Sequence, residues 1–429
     1  MAYLTVLRSP QVARLLLGTL VGRLPAGMTV IAIALVLRHS GAPYSQVGLT
    51  TAAYAIAAAI GGPVLGRAVD RIGQPRVLLA SCAVAACGYV ALALAPGHPA
   101  AAMAGAALAG LAMPPLEPCL RSLWPDIVPA AELETAYALD SAAQQVLYVA
   151  GPLLVAGVAA LGSPIATLWL AAGLGVAGTL TVATSAPARA WRAPAASGAQ
   201  DGPAVRGGWL GPLRSPGLVV LLIAFAGTGW AIGAQNILFV AYAQAHPGIP
   251  GGAGTLLALA ALAGLLGALA YGIVPWSAPT STRTAVLAAV MALCYLPLLL
   301  LPSASWMGPA AFVAGLGLAP LLAAAFVLIA ELAPAGTTTE AFAWLVTLFA
   351  TGNALGSAVS GAVVADSLRT AAAVAVGGIA AGALLLAATR RLLVPLPAAG
   401  AGGAVRAAAT ASRSEAETGA VAAGPNVRT

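Results

Sequence analysis

The sequence predicts an all-α membrane protein of twelve transmembrane helices in two pseudo-symmetric six-helix bundles, and three observations predict it. Of 429 residues, 60% are hydrophobic and 7% charged, with a mean hydropathy of +0.95; an ordinary soluble domain carries about 25% charged residues. The apolar residues gather in runs of about 20, the length that crosses a hydrocarbon core of about 30 Å. The chain also resembles itself when shifted by half its length. No soluble core absorbs so much apolar surface. Open sheets would leave backbone amides unpaired in lipid, and a barrel would alternate with period 2, whereas these runs are apolar on all faces.

In order, the runs place spans at about 15–37, 45–66, 76–95, 100–121, 136–161 and 164–186, then 217–242, 252–274, 284–301, 306–329, 339–364 and 371–391. The first is interrupted by Arg23, with Pro25 and Gly27 positioned to bend it. The fourth closes on Met113-Pro114-Pro115-Leu116-Glu117-Pro118, one turn before Arg121. The fifth opens on a polar stripe of Asp140, Ser141, Gln144, Gln145 and Tyr148, of which Asp140, Gln144 and Tyr148 share one helical face. Trp230, Gln235 and Asn236 interrupt the seventh, and Asn353 the eleventh.

Topology follows from the basic residues, all 19 of which are Arg. Loops on the side of the two termini hold sixteen: Arg8, Arg14, Arg67, Arg71, Arg76, Arg121, Arg189, Arg192, Arg206, Arg214, Arg283, Arg390, Arg391, Arg406, Arg413 and Arg428. The opposite side holds Arg38 and Arg369. The positive-inside rule then places both termini in the cytoplasm. The net charge of +7 reflects this asymmetry and implies no nucleic-acid partner. Cys82, Cys87, Cys119 and Cys294 fall within spans and lack metal-ligand spacing, so they read as packing residues. Arg14 and Arg23 interrupt the first apolar run, which argues against a removable signal peptide.

A shift of 206 residues carries Arg8-Ser9-Pro10 onto Arg214-Ser215-Pro216 and Gly27, Gly61 and Gly66 onto Gly233, Gly267 and Gly272. Near the fifth and eleventh spans, a shift of 205 superposes Pro129 and Gly151 on Pro334 and Gly356, and Asp126 on Glu331. The unit is a duplicated six-helix bundle. The expected organisation is an N-terminal bundle at 1–186, a Pro/Gly-rich cytoplasmic linker at 187–214, a C-terminal bundle at 215–394 and a disordered cytoplasmic tail at 395–429.

Between the second and third spans the chain reads Gly61-Gly62-Pro63-Val64-Leu65-Gly66-Arg67-Ala68-Val69-Asp70-Arg71-Ile72-Gly73-Gln74-Pro75-Arg76. Gly66, Asp70, Arg71, Gly73 and Arg76 match the pattern Gly-x-x-x-Asp-Arg-x-Gly-x-x-Arg, which resembles the signature loop of the major facilitator superfamily. With twelve spans and the duplication, the likeness covers about residues 1–395. Physically, Gly66 permits close helix approach, Gly73 suits a tight turn, and Asp70 suits the positive end of a helix. The resemblance implies that Asp70 docks on the start of the eleventh helix, about Thr337 to Glu340, that a loop arginine pairs with Asp126 or Glu117, and that these contacts hold the halves together. The alternative is that these charges only set topology. Trp276 stands where a second Asp would align, which leaves any charge-based latch one-sided.

Ionisable groups inside a bilayer cost about 2.5–3.5 kcal/mol on insertion scales, so each is a candidate for function. Arg23, in a run that resembles one in efflux-type facilitators, is expected to face a central cavity and bind an anionic group or pair with a proton-accepting acid; a structural salt bridge is the other reading. Glu117 reads as an i,i+4 partner of Arg121 or as a proton carrier. Asp140, Gln144 and Tyr148 are expected to line the cavity. Gln235, Asn236 and Asn353 suit hydrogen bonding either to a solute or between helices. Tyr54 and Trp344 are expected as aromatic walls or interface anchors. Gly151-Pro152 resembles the fifth-helix pair of facilitator antiporters, although Val155-Ala156 replaces the glycines expected after it. Ala106, four residues before Gly110, stands where many proton-driven facilitators have Arg.

The resemblance implies a secondary active transporter working by alternating access in a bacterial cytoplasmic membrane, exporting a small organic or drug-like molecule in exchange for protons. A proton-coupled importer or facilitator is the alternative. An enzyme on the same fold is disfavoured because no nucleophile, base or metal ligands converge, and a non-transporting sensor because Asp70, Arg71 and Arg76 of the gate are intact. The sequence calls for no cofactor and no metal, and for a monomer whose partners are substrate, protons and lipid.

Overall fold

A computed structural model describes residues 2–9, 11–193, 211–274 and 276–393, with the side chains of Ala2, Leu4 and Tyr148 excepted. The tail expected from 395 onward and residues 194–210 of the expected linker lie outside the described residues. Every regular element among them is helical. In chain order these are α1 (Ala2–Arg8), α2 (Val12–His39), α3 (Tyr44–Ile72), α4 (Gln74–Leu94), α5 (Pro99–Leu111), α6 (Leu116–Ile127), α7 (Leu133–Leu161), α8 (Pro164–Ala183) and α9 (Ala186–Ala190). The second half continues with α10 (Pro216–Ala245), α11 (Gly252–Tyr271), α12 (Thr280–Tyr295), α13 (Ala304–Gly315), α14 (Leu318–Leu332), α15 (Thr338–Val363) and α16 (Leu368–Ala388).

Twelve of these helices or helix pairs are long and apolar enough to cross a membrane, so the protein is a multi-pass membrane protein. The pairs are α5 with α6 and α13 with α14, which form the fourth and tenth spans. Proline breaks both. Pro114 and Pro115 follow α5 directly, and Pro320 has no N–H to give the Leu316 carbonyl one turn earlier. The fourth break places Glu117 in the first turn of α6, where the amide ends favour an anion.

Several helices outrun the apolar runs that announce them. The second span extends through Arg71, so Gly66, Arg67 and Asp70 stand on its last turns rather than in a loop. The helix α1 is not announced by hydropathy because it is too short to span, yet it buries Val6 in the core.

The two bundles meet along two equivalent junctions. The eleventh span, α15, packs on α3 and α6 of the first bundle; the fifth, α7, packs on α11 and α14 of the second. Within each bundle the first span crosses the fifth where glycines face each other. A Cβ on Gly27 would lie 3.1 Å from the Leu147 carbonyl and 3.5 Å from the Gly151 Cα, and Gly233 and Gly356 make the corresponding crossing of α10 with α15.

Candidate functional site

Two assemblies of polar side chains stand out, one at the face of the bundle that carries the arginine-rich loops and one in its interior.

At the arginine-rich face, Asp70 accepts hydrogen bonds from the backbone amides of Thr339 (3.1 Å) and Glu340 (2.8 Å), the first turn of α15. These are orphan donors of a helix N-terminus, so a carboxylate there satisfies both hydrogen bonding and the helix dipole. Gly66 makes the approach possible: a Cβ at this position would lie 2.9 Å from Ala343 Cβ and 3.0 Å from Glu340 Cα. Gly73 closes α3 with φ +91°, a conformation open chiefly to glycine. Beside the docked Asp70, Arg67 grips Glu340 through Nε (2.9 Å) and Nη2 (2.7 Å), a bidentate pair across the bundles.

Two expectations need correcting here. Neither Arg71 nor Arg76 pairs with Asp126 or Glu117, because Glu117 is held elsewhere and Arg67 supplies the bridge to the eleventh span. Nor is the charged latch one-sided. Arg283, at the start of α12, pairs with Glu134 at the start of α7 (2.5 Å), joining the bundles at the equivalent junction. Glu134 and Glu340 are separated by the same 206 residues as the Arg-Ser-Pro repeats, so the repeat offset itself carries the signal of this second pair. Two uncharged ties accompany this pair. Thr135 donates to the Gly272 carbonyl (2.8 Å), and Tyr3 of α1 reaches the carbonyls of Ala268 (3.1 Å) and Leu269 (2.7 Å) at the end of α11.

In the interior, four charges form a closed ring. Glu117 bonds Arg23 through one oxygen and Arg121 through the other (2.5 Å); Arg121 Nε bonds Asp140 (2.7 Å); and Asp140 faces Arg23 at 3.8 Å. Two cations and two anions sum to zero, which is what makes the burial tolerable. Arg121 and Asp140 are each 1% exposed. Gln144 accepts from Arg121 (3.3 Å), and the Arg121 guanidinium lies 3.5 Å over the ring centre of Phe326 on α14, in the opposite bundle. Phe326 carries no sequence signal beyond being one aromatic in an apolar run.

Arg23, Glu117, Arg121 and Gln144 line a cavity of about 340 Å³ between the bundles. Tyr54 stands in its wall; Trp344 does not, and its indole donates to Glu340 instead (3.4 Å). The second bundle contributes Leu322, Ala343, Val346, Thr347, Phe349 and Ala350 among others, an almost wholly apolar surface. Asp140 lies behind Arg121 rather than in the wall. Gln235, Asn236 and Asn353 also stand outside it; Gln235 is buried, and the Asn353 backbone packs against Gly229 and Gly233 where α15 crosses α10. Tyr148 is on α7, and its side chain is not among those described. Among the described residues no group of His, Cys, Asp and Glu could hold a metal ion.

A family model described as Major Facilitator Superfamily matches residues 15–342. Among solved structures, the fold resembles a bacterial homologue of the iron transporter ferroportin in an outward-facing state (TM-score 0.70, 12% identity, 88% of this chain and 98% of that one). It also resembles the human organic anion transporter MFSD10 (TM-score 0.64, 18% identity, 89% of this chain and 98% of that one). At these identities the likeness speaks for the fold alone. No curated protein matches the chain.

Proposed function

The chain belongs to the major facilitator superfamily and is a membrane transporter of that class rather than an enzyme, and from this premise we propose that it exports a small, largely apolar organic molecule in exchange for protons. The arginine-rich face is then cytoplasmic by the positive-inside rule, and the bundles rock as a monomer about the cavity between them.

The observation that carries this reading is the ring of Arg23, Glu117, Arg121 and Asp140 at the wall of an otherwise apolar cavity. A carboxylate shared by two guanidiniums neutralises both. Protonating Glu117 leaves Arg23 and Arg121 with Asp140 alone, and removing one partner of a buried pair costs about 3–5 kcal/mol. Such an imbalance is relieved by rearrangement, which links a proton to a change of state. Arg23 is thus better suited to pairing with the proton-accepting acid than to holding an anionic cargo, since its guanidinium is already engaged. The cavity volume lies at the lower end of the range of about 300–1,000 Å³ usual for small-molecule sites. Its apolar second-bundle wall favours amphipathic cargo over sugars or multiply charged metabolites, and Gly151-Pro152 supports export.

The test is transport in proteoliposomes under an imposed pH gradient, screened over a small panel of amphipathic compounds. The parent is expected to move substrate against the proton flux, and Glu117→Gln to retain substrate exchange while losing its response to the gradient. Flux that ignores the gradient in both proteins would overturn the coupling; accumulation along the proton flux would make the protein an importer.

A further inference from the structure

The contacts between the bundles leave two of the signature arginines without a carboxylate. Arg71 and Arg76 face Arg189 and Arg192 across a cleft of about 380 Å³. Among the described residues no acid pairs with any of the four. Arg192 is turned by its own backbone, donating to the carbonyls of Arg189 (3.1 Å) and Trp191 (2.7 Å). Asp70, the one acid in the wall, directs both oxygens to the amides of α15.

The convergence is built by the fold. The turn at Gly73 sets Arg71 and Arg76 on either side of it, and a Cβ on Gly73 would lie 4.0 Å from the Arg192 guanidinium. On the other wall, Ser185 caps α9, its hydroxyl accepting from the Ala188 amide (3.3 Å), and Trp191 is buried in the core cluster. That anchoring holds Arg189 and Arg192 against the loop. By contrast, Arg67 and Arg283 on the same face are each matched by a glutamate. Four like charges around one cleft repel, and an anion relieves the repulsion. Guanidinium forks match phosphate oxygens two at a time, and the cleft has room for on the order of a dozen waters, more than inorganic phosphate needs.

We propose that Arg71, Arg76, Arg189 and Arg192 form a binding site for a phosphate group, carried by an anionic lipid at the membrane surface or by free phosphate. An occupant ties the signature loop to the segment that leads out of the first bundle, next to the Asp70 contact. The proposal does not depend on the direction or coupling of transport.

The test uses the full-length protein, with inorganic phosphate added in detergent in one arm and nanodiscs of phosphatidylcholine with or without phosphatidylglycerol in the other. Binding is read as a rise in the thermal unfolding temperature and, for lipid, as adducts in native mass spectrometry. Arg189→Gln/Arg192→Gln is compared with Arg390→Gln/Arg391→Gln, which removes the same charge from exposed arginines on the same face. The first pair is expected to weaken binding roughly tenfold or more, the loss of charge-assisted bonds to phosphate, and the second to leave it near the parent's. If the first pair does not fold, Arg192→Gln against Arg391→Gln makes the comparison. Stabilisation by phosphate alone identifies a free anion, and stabilisation only by phosphatidylglycerol a headgroup. Equal weakening in both pairs, or a parent that neither probe stabilises, overturns the proposal.

Discussion

Replacing Asp70 by Asn tests whether its docking on α15 holds the arginine-rich ends of the bundles together. The aspartate takes two backbone amides, at 3.1 and 2.8 Å, and a hydrogen bond to a charged group is worth about 1.5–3 kcal/mol. Asparagine keeps one acceptor but turns an NH2 toward the other amide and loses the attraction to the helix end. The net loss is about 2–3 kcal/mol, which at 1.36 kcal/mol per decade shifts the balance between closed and open ends about 30- to 160-fold. If the parent favours the closed form by about 99 to 1, the variant is open in about a quarter of molecules or more. Spin labels at Ala131→Cys and Ala278→Cys, both exposed and on opposite bundles, in a background without the four native cysteines, would read this as a new long-distance population. Transport is expected to fall while membrane insertion is unchanged. A variant with the parent's distance distribution and transport rate would refute the argument.

Glu134→Gln removes the carboxylate from Arg283, whose side chain is 2% exposed, but Glu134 itself is 31% exposed. Solvent therefore tempers the cost to about 1–3 kcal/mol, expected as a lower unfolding temperature and the same long-distance population; an unaltered spin-label distribution would mean that this pair does not join the bundles. Tyr3→Phe should cost about 0.5–1.5 kcal/mol through the lost bonds to Ala268 and Leu269. Burial pushes the Tyr3 phenol up from 10.0 to about 12, with a backbone hydrogen bond from Gly272 opposing in part. The folded state thus favours the protonated form, and the contribution of this phenol is complete below about pH 10 and lost as pH rises through about 12. The stability difference between parent and Tyr3→Phe should be flat from mildly acid to mildly alkaline pH, and a difference that titrates near neutrality would rule out the phenol as its source.

The candidate site was legible in part. Asp70 and the start of the eleventh helix were named from the signature pattern, and Glu117 with Arg121 from their spacing on one helix. Those are local or motif-borne relations. Gln235, Asn236 and Asn353 show the limit: an amide in an apolar run looks the same from the sequence whether it faces a cavity or a neighbouring helix. Tyr3 escaped because a short helix at a chain end has no hydropathy of its own to announce it.

By itself the sequence determined the twelve spans and the duplication, because each follows from a one-dimensional quantity, the length of apolar runs and a constant offset; the count of arginines by loop was less exact, since Arg121, expected on a loop, stands buried within α6. Beyond the i,i+4 pair of Glu117 and Arg121, only the tertiary structure decided which acid meets which arginine. Arg23 finds Glu117 across 94 residues, Arg283 finds Glu134 across 149, and Arg67 finds Glu340 across 273. A buried charge takes whatever opposite charge packing brings within about 3 Å, and packing between helices far apart in the chain is set by glycine crossings and helix breaks acting together, not by any residue's neighbours in sequence.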